Sequence, residues 1–348
     1  MAFSTINKSS EHFNTKLWTG TGDATTTVSG VGFQPDWTWI KNRDVGDDHA
    51  LFDAVRGVEK ILFSNSTSIE STNTESLTAF NSDGFVTGNH RGTGGDAGNK
   101  MVSWNWKANG AGSSNTDGSI TSTVSANTTA GFSIVKYTGN NGASGTVGHG
   151  LGVKPKMIIT KGLTYASSWA TYHEDITADY WLQLCETDEA TDNDTIWNDT
   201  EPTSTLFTVG SSNQVNDNYN YIAYCFAEVP GYSKMGKYIG NGNDANGTFV
   251  YTGFKTSFVL IKKTSGTDNW TLSDHKRDVD VSPNFARLAA DTYATEADNI
   301  TWARVNKFSN GFRLGGTDSV TNESGSTYVY MAFGQPIISN SGVCTTAR

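Results

Sequence analysis

A segment of the chain comes back twice with its side-chain pattern intact, and this limits the fold more than any other feature. Residues 32–43, GFQPDWTWIKNR, return as 152–163, GVKPKMIITKGL, and as 253–264, GFKTSFVLIKKT. Each copy opens on a glycine and an apolar residue and leads through a turn to a lysine: Lys41, Lys161 or Lys262. Trp37 and Trp39 become Met157 and Ile159, then Phe258 and Leu260, so alternate positions stay apolar, as one face of a strand requires. The positions between them, Thr38 and Ile40, become Ile158 and Thr160, then Val259 and Ile261. A second face this apolar is covered, so the segment is expected to be an inner strand.

The flanks repeat in step. Each unit opens on an aromatic two residues before a glycine, at Trp18, Tyr137 and Tyr238. A short alternating run then precedes each inner strand: Thr27-Val28-Ser29, Thr146-Val147-Gly148 and Phe249-Val250-Tyr251. A second run follows it, at residues 49–53, 169–173 and 270–274, with Arg56 and Arg277 expected in exposed turns beyond. Asp83-Gly84 and Asn310-Gly311 mark hairpins, on the expectation that glycine supplies a positive φ. Each unit ends on a strand whose core face carries Val102, Trp104 and Trp106, then Ile222, Tyr224 and Phe226, then Val329, Met331 and Phe333. Its other face has Asn105, Cys225 or Ala332 at one position, where a small side chain fits.

The expected fold is therefore all-β: three tandem, related antiparallel β-sandwich domains of about 100 residues each. The division is an N-terminal arm at 1–14, repeat one at 15–108, a Gly/Ser/Thr-rich linker or extended excursion at 109–130, repeat two at 131–228, repeat three at 229–336 and a C-terminal tail at 337–348. Trp39, Ile159 and Leu260 are expected in three equivalent but separate interiors. Because the link around 228–234 is short, repeats two and three are expected to touch, with repeat one further off.

With 37 glycines and 6 prolines the chain suits short strands and tight turns, and 17 Phe, 13 Tyr and 10 Trp make up for a hydrophobic fraction of only 36%. A net charge of -10 without a Lys/Arg cluster argues against nucleic acid as a partner. No apolar run is long enough to span a bilayer, and no secretion signal is expected at the start. Cys185, Cys225 and Cys344 are odd in number and widely spaced, which argues against a disulfide framework or a zinc site.

Together, the aromatic-glycine opening, GFQPDWTWIKNR, HALFDAVRG at 49–57, LTAFNSDGF at 77–85 and the aromatic closing strand resemble a repeated domain of structural proteins from tailed, mostly marine, bacteriophages. The resemblance is strongest over 17–108, holds over 132–228 (GFSIVKYTG, HGLGVKPKMIITK) and is weakest over 232–335. Repeat three departs from it at Thr256, where Pro35 and Pro155 stand in the other copies, which puts its lead-in turn in question. The resemblance implies a virion protein assembled in the host cytoplasm, binding other virion proteins and forming a homo-oligomer, with a trimer favoured. A tail-associated fibre or appendage contributing to host-surface attachment is the first expectation. Capsid decoration, or a collar or baseplate component with a purely structural role, is the alternative.

No catalytic residue carries over from the resemblance, and none is expected. His173, Glu174 and Asp175 supply acid–base groups, but nothing like them recurs in the other repeats, and no GxSxG elbow is present. Asp192-Asn193-Asp194 and Asn216-Asp217-Asn218 offer hard oxygens without the order of a calcium loop, so neither metal nor cofactor is expected. His49 and His149 are expected in turns. For ligand binding the candidates are Trp197 and Tyr219, loop aromatics bordered by Asn and Asp, a combination suited to a host-surface glycan.

Overall fold

The computed structural model describes residues 4–278, 285–298 and 300–337. Cys344, residues 1–3 of the arm and 338–348 of the tail lie outside them. The fold is all-β, built of antiparallel sheets. Three large sheets share one order: opening strand, closing strand, inner strand, second run and a further short strand. In repeat one these are Phe13–Thr19, Lys100–Trp106, Trp37–Asn42, Ala50–Asp53 and Lys60–Phe63. Repeat two uses Phe132–Thr138, Asn220–Phe226, Met157–Gly162, Ala170–His173 and Tyr180–Gln183. Repeat three uses Ser233–Ile239, Thr327–Pro336, Phe254–Lys263, Thr271–Asp274 and Leu288–Ala289. The register agrees with the sequence pattern, since Trp37 pairs with Trp106, Met157 with Phe226 and Phe258 with Phe333.

A small sheet lies over one face of each large one. Its strands are Thr26–Ser29, Gly84–Thr87 and Leu77–Asn81 in repeat one, Gly145–Gly148 and Leu206–Val209 in repeat two, and Phe249–Tyr251, Gly311–Gly315 and Arg304–Phe308 in repeat three. The space between small and large sheet is a core belonging to that repeat alone, filled around Ile40 and Phe85, around Ile158 and Phe207, or around Ile261 and Phe312. Gly84 and Gly311 occur where the strand beside them passes closely: a Cβ would meet the carbonyl oxygen of Val28 at 2.0 Å or of Val250 at 2.1 Å. Close approach, rather than a positive φ at both, is why the hairpins need glycine. The glycines that lead into the inner strands, Gly32, Gly152 and Gly253, do sit at φ 95, 74 and 84.

The other faces of the large sheets correct the expectation of separate interiors. Trp39, Ile159 and Leu260 belong to one continuous cluster that also takes in Trp37, Trp106, Tyr224, Phe226, Phe258 and Phe333. Trp37 stacks on Tyr224 at 4.4 Å and on Phe132 at 5.8 Å, so repeats one and two are in contact, not apart. Phe13 at the start of the first strand stacks on Phe333 near the end of the last, at 5.1 Å. Inner strands are therefore covered on both faces, by their own small sheet and by the neighbouring repeats.

The contacts between repeats follow a cyclic order. Glu70 N donates to Leu163 O at 3.0 Å, Ala190 N to Thr264 O at 3.1 Å and Glu296 N to Arg43 O at 2.9 Å. The three repeated lysines are fully buried, and each reaches a carbonyl of the preceding repeat in the cycle: Lys161 Nζ to Thr67 O at 2.9 Å, Lys262 Nζ to Thr187 O at 2.7 Å and Lys41 Nζ to Tyr293 O at 3.3 Å. Trp169 and Trp270 likewise donate to Phe63 O and Gln183 O at 2.9 and 2.8 Å, while His49, in the matching place, points its buried ring at Ala289 and accepts from Trp39 Nε1 at 2.9 Å. His49 is thus a core residue rather than a turn residue. Repeat two leans on one, three on two and one on three.

Arg56 and Arg277 are also buried, not exposed. Each closes an ion pair with the aspartate three residues before it, Asp53 or Asp274, and a second with Glu70 or Glu296. In repeat two the same places hold His173, Ile176 and Ala190, a neutral set. Residues 109–130 hold two strands between turns: Ser122–Asn127 pairs with the opening strand of repeat two, Val124 facing Val135, and Ser113–Asn115 pairs with Ser122–Asn127 in turn, so that this part of the stretch enlarges the sheet. At Thr256 a proline would remove a backbone donor; with threonine the inner strand starts earlier, at Phe254, and runs past a register shift between Thr256 and Phe258.

The shared cluster predicts that Trp37→Ala costs about 3–5 kcal/mol. It also predicts coincident unfolding of the three repeats in urea, whether followed by fluorescence or circular dichroism. Burial lowers Lys161 to about 8. Since the unfolded chain holds that proton up to the ordinary lysine value of 10.5, the stability of the native chain relative to Lys161→Met should rise between these pH values, by up to about 1.4 kcal/mol per pH unit. Urea titrations of both proteins across that range check the sign.

Candidate functional site

Outward positions of the small sheets differ sharply between repeats. In repeat one Thr27 and Ser29 flank the inward Val28, and in repeat two Thr146 and Gly148 flank Val147. In repeat three the corresponding residues are Phe249, 47% exposed, and Tyr251, 56% exposed, on either side of buried Val250. In repeat two Gly148 is covered by Asn115, but repeat one folds with exposed Thr27 and Ser29 there, so the aromatic pair answers no demand of the fold. Lys234 donates to Tyr251 O at 2.8 Å and lies 5.8 Å from the Tyr251 ring centre, which fixes the ring. Phe249 meets Phe308 edge-on at 6.1 Å, and Arg313 covers Phe308 at 5.8 Å.

Below this face runs the opening strand Ser233–Ile239, whose Lys234, Gly236 and Tyr238 point toward the small sheet. Gly236 stands where the other repeats have Lys16 and Val135. A Cβ on it would come within 2.8 Å of Tyr330 Oη. Tyr330, which stands where the other repeats have Ser103 and Ala223, takes up the room over Gly236, and beside it at the open edge of the sandwich lies a cleft of about 360 Å³, lined by Asp175, Lys234, Lys237, Tyr251, Phe249 and Tyr330 among others. Asp175 comes from repeat two and lies 3.6 Å from Lys237 Nζ, so the cleft straddles a junction. Burial pushes the Tyr238 and Tyr330 hydroxyls above their ordinary pKa, and both stay protonated donors. A larger cleft, about 550 Å³, follows the seam where the first strand meets repeat three, but Gln335 there ties Ser9 by hydrogen bonds to its N–H and hydroxyl at 3.0 and 2.9 Å.

The ligand candidates from sequence fall elsewhere. Trp197 is 2% exposed: it ends the short helix Asp194–Trp197, which tucks the indole into the repeat-two core, edge-on to Tyr172 at 6.2 Å. It offers no face to a sugar. Tyr219 is half-buried and stacks on Tyr165 at 4.8 Å, which covers one face of its ring. Asn193 caps the helix through Thr195 N at 3.0 Å, and Asn216 bonds the carbonyls of Ala143 and Gly210. Among the described residues no group of three or more His, Cys, Asp or Glu is placed to hold a metal ion. His149 does sit at a turn, its Nδ1 accepting from Leu151 N at 3.2 Å.

His173 is buried, accepting from Asp175 N through Nδ1 and bonding Tyr330 O through Nε2, both at 3.2 Å, and burial lowers its pKa. Glu174 is raised by burial but pulled down further by hydrogen bonds from Lys156 and Lys154, which leaves it below its usual range. Lys154 also pairs with Glu201 at 2.8 Å, and Glu201 accepts from Tyr172 Oη at 2.5 Å. The cluster ties the start of the inner strand to the end of the second run and to Glu201. No helix among the described residues is long and apolar enough to cross a membrane.

A family profile described as a domain of unknown function, DUF7483, matches residues 8–336. The chain belongs to the DUF7483 family. That span takes in all three repeats and both sides of the seam between first and last strand. No curated protein matches the sequence. Within this DUF7483 chain Phe249 and Tyr251 are exposed, so Phe249→Thr with Tyr251→Ser, which restores the residues of repeat one, should change stability by no more than about 0.5 kcal/mol. Thermal unfolding of the double variant checks this.

Proposed function

We propose that the chain is a non-enzymatic virion structural protein, a tail-associated fibre or appendage contributing to host-surface attachment. The observation that carries this reading is the aromatic pair Phe249 and Tyr251, held outward on repeat three where repeats one and two have Thr, Ser or Gly. Exposed rings cost solubility, and a patch kept in spite of that cost is characteristic of a contact surface. The motif resemblance to repeated domains of tailed-phage structural proteins supplies the setting, and with it a homo-oligomer, a trimer being favoured, among other virion proteins.

A purely structural role in capsid decoration, collar or baseplate draws on a different feature. The opening strands Phe13–Thr19 and Ser233–Ile239 end their sheets, whereas Ser122–Asn127 covers the matching edge of repeat two. Open edges accept strands from other proteins.

Adsorption separates the two. Fluorescently labelled chain is expected to bind cells of the bacterial host saturably, and the Phe249→Thr/Tyr251→Ser variant to lose about tenfold or more in affinity. Absence of saturable adsorption by the native chain, with antibody labelling confined to capsids, would move the assignment to the structural role.

A further inference from the structure

We propose that the cleft bounded by Tyr251, Gly236 and Asp175 binds one pyranose ring of an uncharged glycan, stacked on the open face of Tyr251. This rests on the attachment reading and adds to it the chemical class of the ligand. A pyranose has an apolar face of C–H groups and a rim of hydroxyls, so its site needs a fixed aromatic wall and, beside it, a donor and an acceptor. Tyr251 is the wall: more than half exposed, yet held by Lys234 through its carbonyl and across its ring. Asp175 and Lys237 are the polar rim, and their 3.6 Å separation is too long for a tight direct bond, so adjacent hydroxyls can engage both.

Shape and charge narrow the class. A concave space of about 360 Å³ is at the small end of ligand sites and suits a sugar ring rather than a protein surface. Lys237 faces Asp175, and Lys234 lies within electrostatic reach of Glu228, so each cation of the cleft has a carboxylate nearby and an acidic sugar is not called for. The protein's own repeats serve as controls. At the Tyr251 position they carry Ser29 and Gly148, at Gly236 they carry Lys16 and Val135, and in place of Asp175 they carry Val55 and Lys276. Wall and carboxylate coincide at this one of the three junctions.

The test is saturation-transfer NMR on the full chain with methyl glycosides of glucose, galactose, mannose and N-acetylglucosamine, with glucuronic and sialic acids as charged comparators. At least one neutral glycoside should receive saturation at its ring C–H protons. Tyr251→Ser should weaken it by about tenfold and Asp175→Asn by severalfold, while Trp302→Ser, an exposed aromatic elsewhere, changes nothing. Thermal unfolding confirms that each variant is folded. Saturation of no sugar, of acidic sugars only, or equally in Tyr251→Ser overturns the proposal. If the aromatic double variant loses cell adsorption while no sugar binds, the ligand class falls and the attachment reading stands. If sugars bind through Tyr251 but the native chain does not adsorb to cells, the reading falls and the site stands.

Discussion

Three β-sheets with both faces apolar cannot each be covered by a single small partner sheet, and the architecture follows from that constraint. One face of every large sheet is closed by its own repeat. The other, carrying Trp39, Ile159 or Leu260, has only the neighbouring repeats to exclude water. Packing three such faces together brings the start of the first opening strand against the end of the last closing strand, and the chain becomes a ring.

The buried charges at the junctions obey the requirement that they be matched, although Trp37 Nε1 and Trp106 Nε1 in the shared cluster have no hydrogen-bond partner among the described residues. Trp104 Nε1 donates to Asp274 at 3.0 Å across one junction and Tyr224 Oη to Asp53 at 2.8 Å across another, and each aspartate also holds an arginine. Asp274 is lowered to about 2: burial raises it, and Arg277 outweighs burial. At the third junction Met331 has no proton to give, the facing residue is His173 bonded to a backbone carbonyl, and Ile176 and Ala190 replace the arginine and the glutamate. Whole sets were exchanged, since leaving Arg without its Asp in such a place would strand a buried charge.

Much of this was legible in sequence. Period-two alternation put Trp37, Met157 and Phe258 on one face, and each pairs with a residue of the core face read for the closing strand, because a one-residue slip would exchange the two faces of the strand. What alternation could not reveal was the source of cover: an inner strand buried by its own small sheet and one buried by another repeat have the same pattern. Arg56 and Arg277 looked exposed because charge suggests solvent, yet the aspartate three residues earlier was the signal of a buried pair. Trp197 looked exposed because its neighbours are polar, although Asn193 before a helical turn explains that polarity as a cap. The cleft was missed for the opposite reason. Phe249 and Tyr251 belong to the alternating run before the inner strand, which does not by itself tell which face is outward; comparison with exposed Thr27 and Ser29 marks theirs as the outward one.

Joining the repeats covalently also releases them from identity. In an assembly of identical subunits every substitution is copied around the axis, so a cleft gained once is gained at each position. Here the glycine at 236 and the tyrosine at 251 change one third of the ring and leave the rest free to diverge. The stoichiometry that results is one such recess per polypeptide, and multivalency is then set by how many chains are brought together.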